Sequence, residues 1–94
     1  MTVHVDYTGQ LRTAASCGEL TVELDVGTTL GGLLARLAAD TPALARHLLM
    51  DDGGVQPSLL LVVNGSAVTG SHGAEDVILG DGDRVSLMPP VAGG

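Results

Sequence analysis

Apolar and polar positions alternate along the first stretch, TVHVDYT, which sets Val3, Val5 and Tyr7 against His4, Asp6 and Thr8. A period of two is the mark of a strand with one buried face. The segment ELTVELDV repeats the pattern, with Leu20, Val22, Leu24 and Val26 on the apolar side. Between the two, GQLRTAASCG is small and polar with Gly9 and Gly18 at its edges, so a hairpin with a long loop is expected. After Gly27 the period changes: Leu30, Leu33, Leu34, Leu37 and Ala38 fall at helical spacing, with Thr28 or Thr29 available as N-cap. The spacing predicts a helix over 29–40. Its early Gly31 and Gly32 each cost about 1 kcal/mol of propensity, so packing of the leucine stripe must hold it. The helix should stop near Asp40, because Pro42 disfavours a helical Thr41.

PALARHLLM predicts a short second helix, and DDGGVQP reads as a loop. SLLLVVNGSAVTG places an Asn64-Gly65 turn between two short apolar runs, a hairpin signature. A second turn, Gly80–Asp83, launches RVSLM, in which Val85 and Leu87 face the core while Ser86 and Met88 face away. Strands, one main helix, then more strands predict an α+β fold: a sheet covered on one face. We divide the chain into a domain over 1–88 and a C-terminal tail over 89–94.

A sheet covered on one face leaves the other to solvent, yet Leu59 to Val63 is apolar at every position. Leu59, Leu61 and Val63 are therefore candidate partner-binding residues together with Met88, forming an exposed apolar patch. A wholly buried central strand would read the same way.

Composition narrows the chemistry. Ninety-four residues suit one small domain, and Tyr7 is the only aromatic, so the core is built of aliphatic pieces. The start MTVHVDYTG lacks the basic and apolar regions of a signal peptide, and no apolar run approaches a membrane span; we expect a cytoplasmic protein. The net charge is −7, from eleven carboxylates against four arginines and no lysine. Nucleic acid and anionic membranes are thereby disfavoured as partners, and encounter with a basic protein surface is favoured. His4, His47 and His72 lack the short spacings of a zinc site, so no metal is expected. No nucleophile elbow or phosphate-binding loop is present. Cys17 has Ser16 and Gly18 beside it and no basic neighbour in sequence to activate it. No independent enzyme is expected.

The most informative stretch is the end, LMPPVAGG. Pro89 and Pro90 cannot donate to a sheet ladder and favour an extended arm. Val91, Ala92, Gly93 and Gly94 then taper, and glycine lets a backbone enter a channel too narrow for any side chain. The arm is suited to insertion into a partner.

On these residues the chain resembles the MoaD/ThiS family of ubiquitin-like sulfur carriers, most closely the small subunit of molybdopterin synthase. YTGQLRTAASCGELTVEL is similar to that subunit's first hairpin, TTLGGLLARLAAD to its helix, VVNGSAV to its middle turn, and LGDGDRVSLMPPVAGG to its last strand and tail. The resemblance implies a β-grasp fold with the last strand parallel to the first. It also implies that an E1-like adenylating enzyme uses ATP to activate the carboxylate of Gly94, and that a sulfur donor protein converts it to a thiocarboxylate. Gly94 would then carry the reactive atom, Gly93 would give clearance, Pro89, Pro90, Val91 and Ala92 would set reach, and Met88 with the apolar face would dock partners. The chain would bind no cofactor itself. The large subunit of molybdopterin synthase would receive the sulfur. Cysteine, thiamine and sulfur-containing secondary metabolite pathways use similar tails, and a ubiquitin-like protein modifier would read alike.

Overall fold

The computed structural model describes residues 1–68 and 76–89. Five strands form one mixed sheet: β1 (Thr2–Tyr7), β2 (Glu19–Glu23), β3 (Leu60–Val63), β4 (Ser66–Val68) and β5 (Arg84–Met88), in the order β2-β1-β5-β3-β4. Strand β5 runs parallel to β1, with Val5 opposite Val85 and Tyr7 opposite Leu87, whereas the other pairings are antiparallel. The last strand thus pairs in parallel with the first, as expected, and sits at the centre of the sheet. Among the described residues three helices lie between the strands: α1 (Gln10–Ala15), α2 (Leu30–Asp40) and α3 (Pro42–Leu48).

Helix α2 is the predicted one. Thr29 caps it, its hydroxyl accepting from Gly32 N at 3.1 Å. Leu30, Leu33, Leu34 and Leu37 are buried in one cluster with Val3, Val5, Tyr7, Val85 and Leu87 of the sheet. Burial of these leucines, each worth roughly 1.5–3 kcal/mol, offsets the propensity cost of the glycine pair. Thr41 closes α2 by donating its N–H to Leu37 O and caps α3, which begins at Pro42 where a missing N–H costs nothing.

Two local expectations are corrected. The first loop is not irregular: α1 occupies it, anchored by the fully buried Leu11 and joined to the sheet edge through a left-handed Ser16. Strand β2 ends at Glu23, so Val26 lies beyond the ladder and is 90% exposed instead of continuing the buried face. The turn before β5 is clamped by side chains. Asp83 accepts from Gly80 N at 2.7 Å and from Asn64 Nδ2 at 2.9 Å, and Asn64 Oδ1 accepts from Arg84 N. These bonds hold the carboxyl of Asp83 below its ordinary pKa. Among the described residues no helix is long and apolar enough to cross a membrane.

Candidate functional site

Alternation along β5 turns Val85 and Leu87 inward and leaves Ser86 and Met88 on the face opposite the helices, as expected. Register then fixes β3. Leu61 lies opposite Leu87 and Val63 opposite Val85, whereas Leu60 lies opposite Met88 and Val62 opposite Ser86. Cross-strand partners share a face. Leu59 and Leu61 are therefore buried in the core, and Val63 packs against it, so these three residues are not an outward patch. The outward apolar positions of this strand are Leu60, 42% exposed, and Val62, which sequence reasoning placed on the wrong face. Ala67 of β4, opposite Val62, extends the same surface.

Across the sheet the outer face changes character. Glu19, Thr21 and Glu23 of β2 are exposed at one side. Beside them Arg84 Nη1 donates to both carboxylate oxygens of Asp6 at 2.8 Å and lies 3.9 Å from Glu19. The hydrogen bonds to Asp6 raise the pKa of an already basic guanidinium, but this exposed pair adds little stability. Beyond it lie Ser86, Met88, Leu60, Val62 and Ala67. The result is an apolar patch with a charged border, the arrangement of a protein-contact surface.

The patch adjoins the root of the tail. Leu87 O accepts from both the N–H and the hydroxyl of Thr8 at 3.3 Å, holding the end of β5 to the β1–α1 junction. Gly9 follows with φ +56°, and a Cβ there would stand 3.1 Å from Pro89 Cγ. Glycine is needed at this position for both its backbone conformation and its closeness to Pro89. Pro89 is thus placed against the start of α1. Pro90, Val91, Ala92, Gly93 and Gly94 lie outside the described residues. Sequence reasoning treated Gly9 as a loop edge, because nothing local shows that a proline eighty residues later packs on it.

Cys17 is a free thiol of intermediate burial. It lies near Tyr7, whose pKa is pushed up to about 12, chiefly by burial and then by the negative charges that Cys17 and Asp40 can carry. Among the described residues no group of three or more His, Cys, Asp or Glu side chains is arranged to hold a metal ion.

The ThiS family pattern matches residues 5–94, nearly the whole chain and including the final glycines. The chain belongs to the ThiS family. It is 41% identical over 71 residues to small archaeal modifier protein 3 of Haloferax volcanii, covering 76% of this chain and 75% of that protein. An Archaeoglobus fulgidus protein, provisionally named a sulfur carrier, is 34% identical over 86 residues, or 90% of this chain and 97% of that one. The crystal structure of SAMP1 from Haloferax volcanii superposes with a TM-score of 0.86 at 26% identity, over 100% of both chains. The five-stranded sheet and its helices are those of a ubiquitin-like β-grasp protein. This member of the ThiS family is accordingly a small protein of the sulfur-carrier and ubiquitin-like modifier class.

Proposed function

We propose that the chain carries sulfur as a thiocarboxylate on Gly94 and delivers it to the large subunit of molybdopterin synthase. The observation that carries this reading is the family match running through residue 94, which brings the terminal Gly93-Gly94 pair within the family pattern. The placement of Pro89 at the edge of an apolar outer patch adds support, since a partner docking on Leu60, Val62 and Met88 meets the tail root at once.

The chemistry follows from the weakness of a carboxylate as an electrophile. In the active site of an adenylating enzyme a Gly94 carboxylate oxygen attacks the α-phosphorus of ATP, and pyrophosphate leaves. The terminal sulfur of a donor persulfide then attacks the acyl carbon, and the C–O bond to AMP breaks. A partner thiol cleaves the resulting acyl disulfide, leaving the thiocarboxylate on Gly94 and a disulfide between the thiol and the donor sulfur. The catalytic groups belong to the partners, and this chain is a cosubstrate. Met88 with Leu60 and Val62 supplies docking area, while residues 89–94 supply reach.

Intact-mass analysis after incubation with the adenylating enzyme, ATP and a persulfide donor tests this. A gain of about 16 Da is expected from replacing oxygen by sulfur at the activated carboxyl group. Deletion of residues 93 and 94 should abolish the gain, and Cys17→Ser should leave it intact. Sulfur found on Cys17, or thiolation of the shortened chain, refutes the reading. The likeness to a small archaeal modifier protein favours a second reading, attachment of Gly94 to target lysines. Trypsin cutting after Arg84 would then leave the remnant VSLMPPVAGG on a lysine of another protein, which peptide mass spectrometry detects.

A further inference from the structure

We propose that Asn64 is a site of spontaneous deamidation, gated by the hydrogen bonds that hold it to the start of β5, and that its modification unfastens the hairpin carrying Leu60 and Val62. The chemistry needs an asparagine followed by a residue whose backbone nitrogen can reach the side-chain amide. Asn64 is the chain's only asparagine, and glycine follows it. With no side chain to obstruct it, a glycine nitrogen is the least hindered nucleophile the main chain offers. Both residues are exposed, and a Cβ at Gly65 would meet nothing within 4 Å among the described residues. Asn64 and Gly65 have φ of +50° and +86°, the left-handed pair that a two-residue hairpin loop requires. The hairpin therefore selects a dipeptide that is chemically labile.

Three hydrogen bonds oppose the reaction in the folded chain. Asn64 N donates to Arg84 O at 2.9 Å, Asn64 Oδ1 accepts from Arg84 N at 3.0 Å, and Asn64 Nδ2 donates to Asp83 Oδ1 at 2.9 Å. The main chain and both polar atoms of the side chain are thus tied to β5 and the turn before it. Attack at Cγ converts the planar amide to a tetrahedral centre and swings Oδ1 and Nδ2 out of their bonds. Reaction therefore waits on local opening of the clamp.

Once the clamp is open, Gly65 N gives up its proton and attacks Asn64 Cγ. A C–N bond forms, the Cγ–Nδ2 bond breaks and Nδ2 leaves as ammonia. Water then opens the cyclic imide at either carbonyl, giving aspartate, or isoaspartate with its main chain running through Cγ. The net change is water in and ammonia out, with nothing oxidised or reduced. Neither product rebuilds the clamp. Aspartate sets a carboxylate oxygen where Nδ2 donated to Asp83, so two negative groups face each other across a hydrogen-bond distance. Asp83 is held in place, because its other oxygen accepts from Gly80 N at 2.7 Å. Isoaspartate lengthens the loop by one atom and disturbs the pairing of Val63 with Ser66. Either product leaves the outward Leu60, Val62 and Ala67 on a hairpin that has lost a fastening to its neighbour.

Intact mass and peptide mapping at neutral pH follow the reaction as a gain of about 1 Da, the exchange of an amide nitrogen for oxygen. In the urea-unfolded chain the gain should map to residue 64, with aspartate and isoaspartate both present. In the folded chain it should be about thirtyfold slower, the protection given by two side-chain hydrogen bonds of ordinary net strength. Asp83→Ala, shown to be folded by circular dichroism, should deamidate about fivefold faster than the parent because one of those bonds is gone. Where that variant does not fold, urea below the parent's unfolding midpoint replaces it and should accelerate the reaction in the same way. Asn64→Asp, which imitates one product, should melt below the parent and speed hydrogen exchange of the Arg84 N–H. Equal rates in the folded and unfolded chains, a gain that maps to Gln10 or Gln56, or no acceleration on weakening the clamp overturns the gated site. An Asn64→Asp chain with the parent's melting temperature and Arg84 exchange rate overturns the unfastening.

Discussion

Adjacent residues of β3 allow a sharp test of which face docks a partner. Leu61 is 1% exposed and sits opposite Leu87 beneath the helices, whereas Leu60 is 42% exposed and sits opposite Met88 on the outer face. Leu61→Ala removes a fully buried side chain and leaves a cavity, which costs about 3 kcal/mol. In a domain of this size that lowers Tm by roughly 10–25 °C. Leu60→Asp should change Tm by only a few degrees, since its outer-face surroundings are already partly solvated. Its effect should appear in binding. Burying the exposed remainder of Leu60 against a partner is worth about 1 kcal/mol, given roughly 1.5–3 kcal/mol for a whole leucine. That alone is about fivefold in affinity, and a carboxylate stranded in the apolar contact increases the loss. Thermal melts and KM for activation, measured on both variants, check the reasoning. If Leu60→Asp melts as low as Leu61→Ala, or leaves KM unchanged while Leu61→Ala raises it, the face assignment or the docking role is wrong.

Two further outcomes follow from titratable groups. Tyr7 is the only aromatic residue, so its phenolate can be followed directly by ultraviolet absorbance. The folded protein should titrate near the pKa of about 12 and not near the ordinary value of 10.0. Because the unfolded chain loses this proton first, stability should be level below the unfolded pKa and fall between the two values by up to about 1.4 kcal/mol per pH unit. A folded-state midpoint near the ordinary value refutes the burial argument. At the turn before β5, Asn64→Ala removes two hydrogen bonds and places alanine at φ +50°, for an expected loss of about 2 kcal/mol by chemical denaturation. The lowered pKa of Asp83 means its contribution is present above the ordinary carboxylate range and is lost as pH falls through the lowered value. The variant should therefore lose less stability on acidification than the parent, and equal acid slopes refute the clamp.

Much of this architecture is written in local periodicity. Val3, Val5 and Tyr7, and Val85 and Leu87, alternate with polar neighbours and so declare their faces. The leucine stripe of α2 and the prolines and glycines that bound the elements are equally local. Helix α1 was missed because its segment is short and holds one large apolar residue, Leu11. Its helical signal was present, since Leu11, Ala14 and Ala15 fall at i, i+3 and i+4 and all are at least partly buried. Small alanines carry little weight in such a pattern, and the core contact that selects the helix is made by residues distant in sequence. Val26 failed for the opposite reason: alternation continued along the chain after the ladder had ended at Glu23.

The error at Leu59, Leu61 and Val63 has a more general cause. A run that is apolar throughout has no alternation to show which residues face the core, and a one-residue shift exchanges the two faces completely. The information lay in another strand. Met88 is outward because Val85 and Leu87 are inward, and antiparallel pairing passes that parity to β3 through Leu60 opposite Met88 and Leu61 opposite Leu87. The same dependence limits the tail root. Gly9 and Pro89 are each ordinary in sequence, and only the central parallel pairing of β1 with β5 brings the β1–α1 junction to the start of the tail. A terminal motif can therefore suggest which atom reacts, while the surfaces that orient it are assembled from residues whose meaning depends on the strand order.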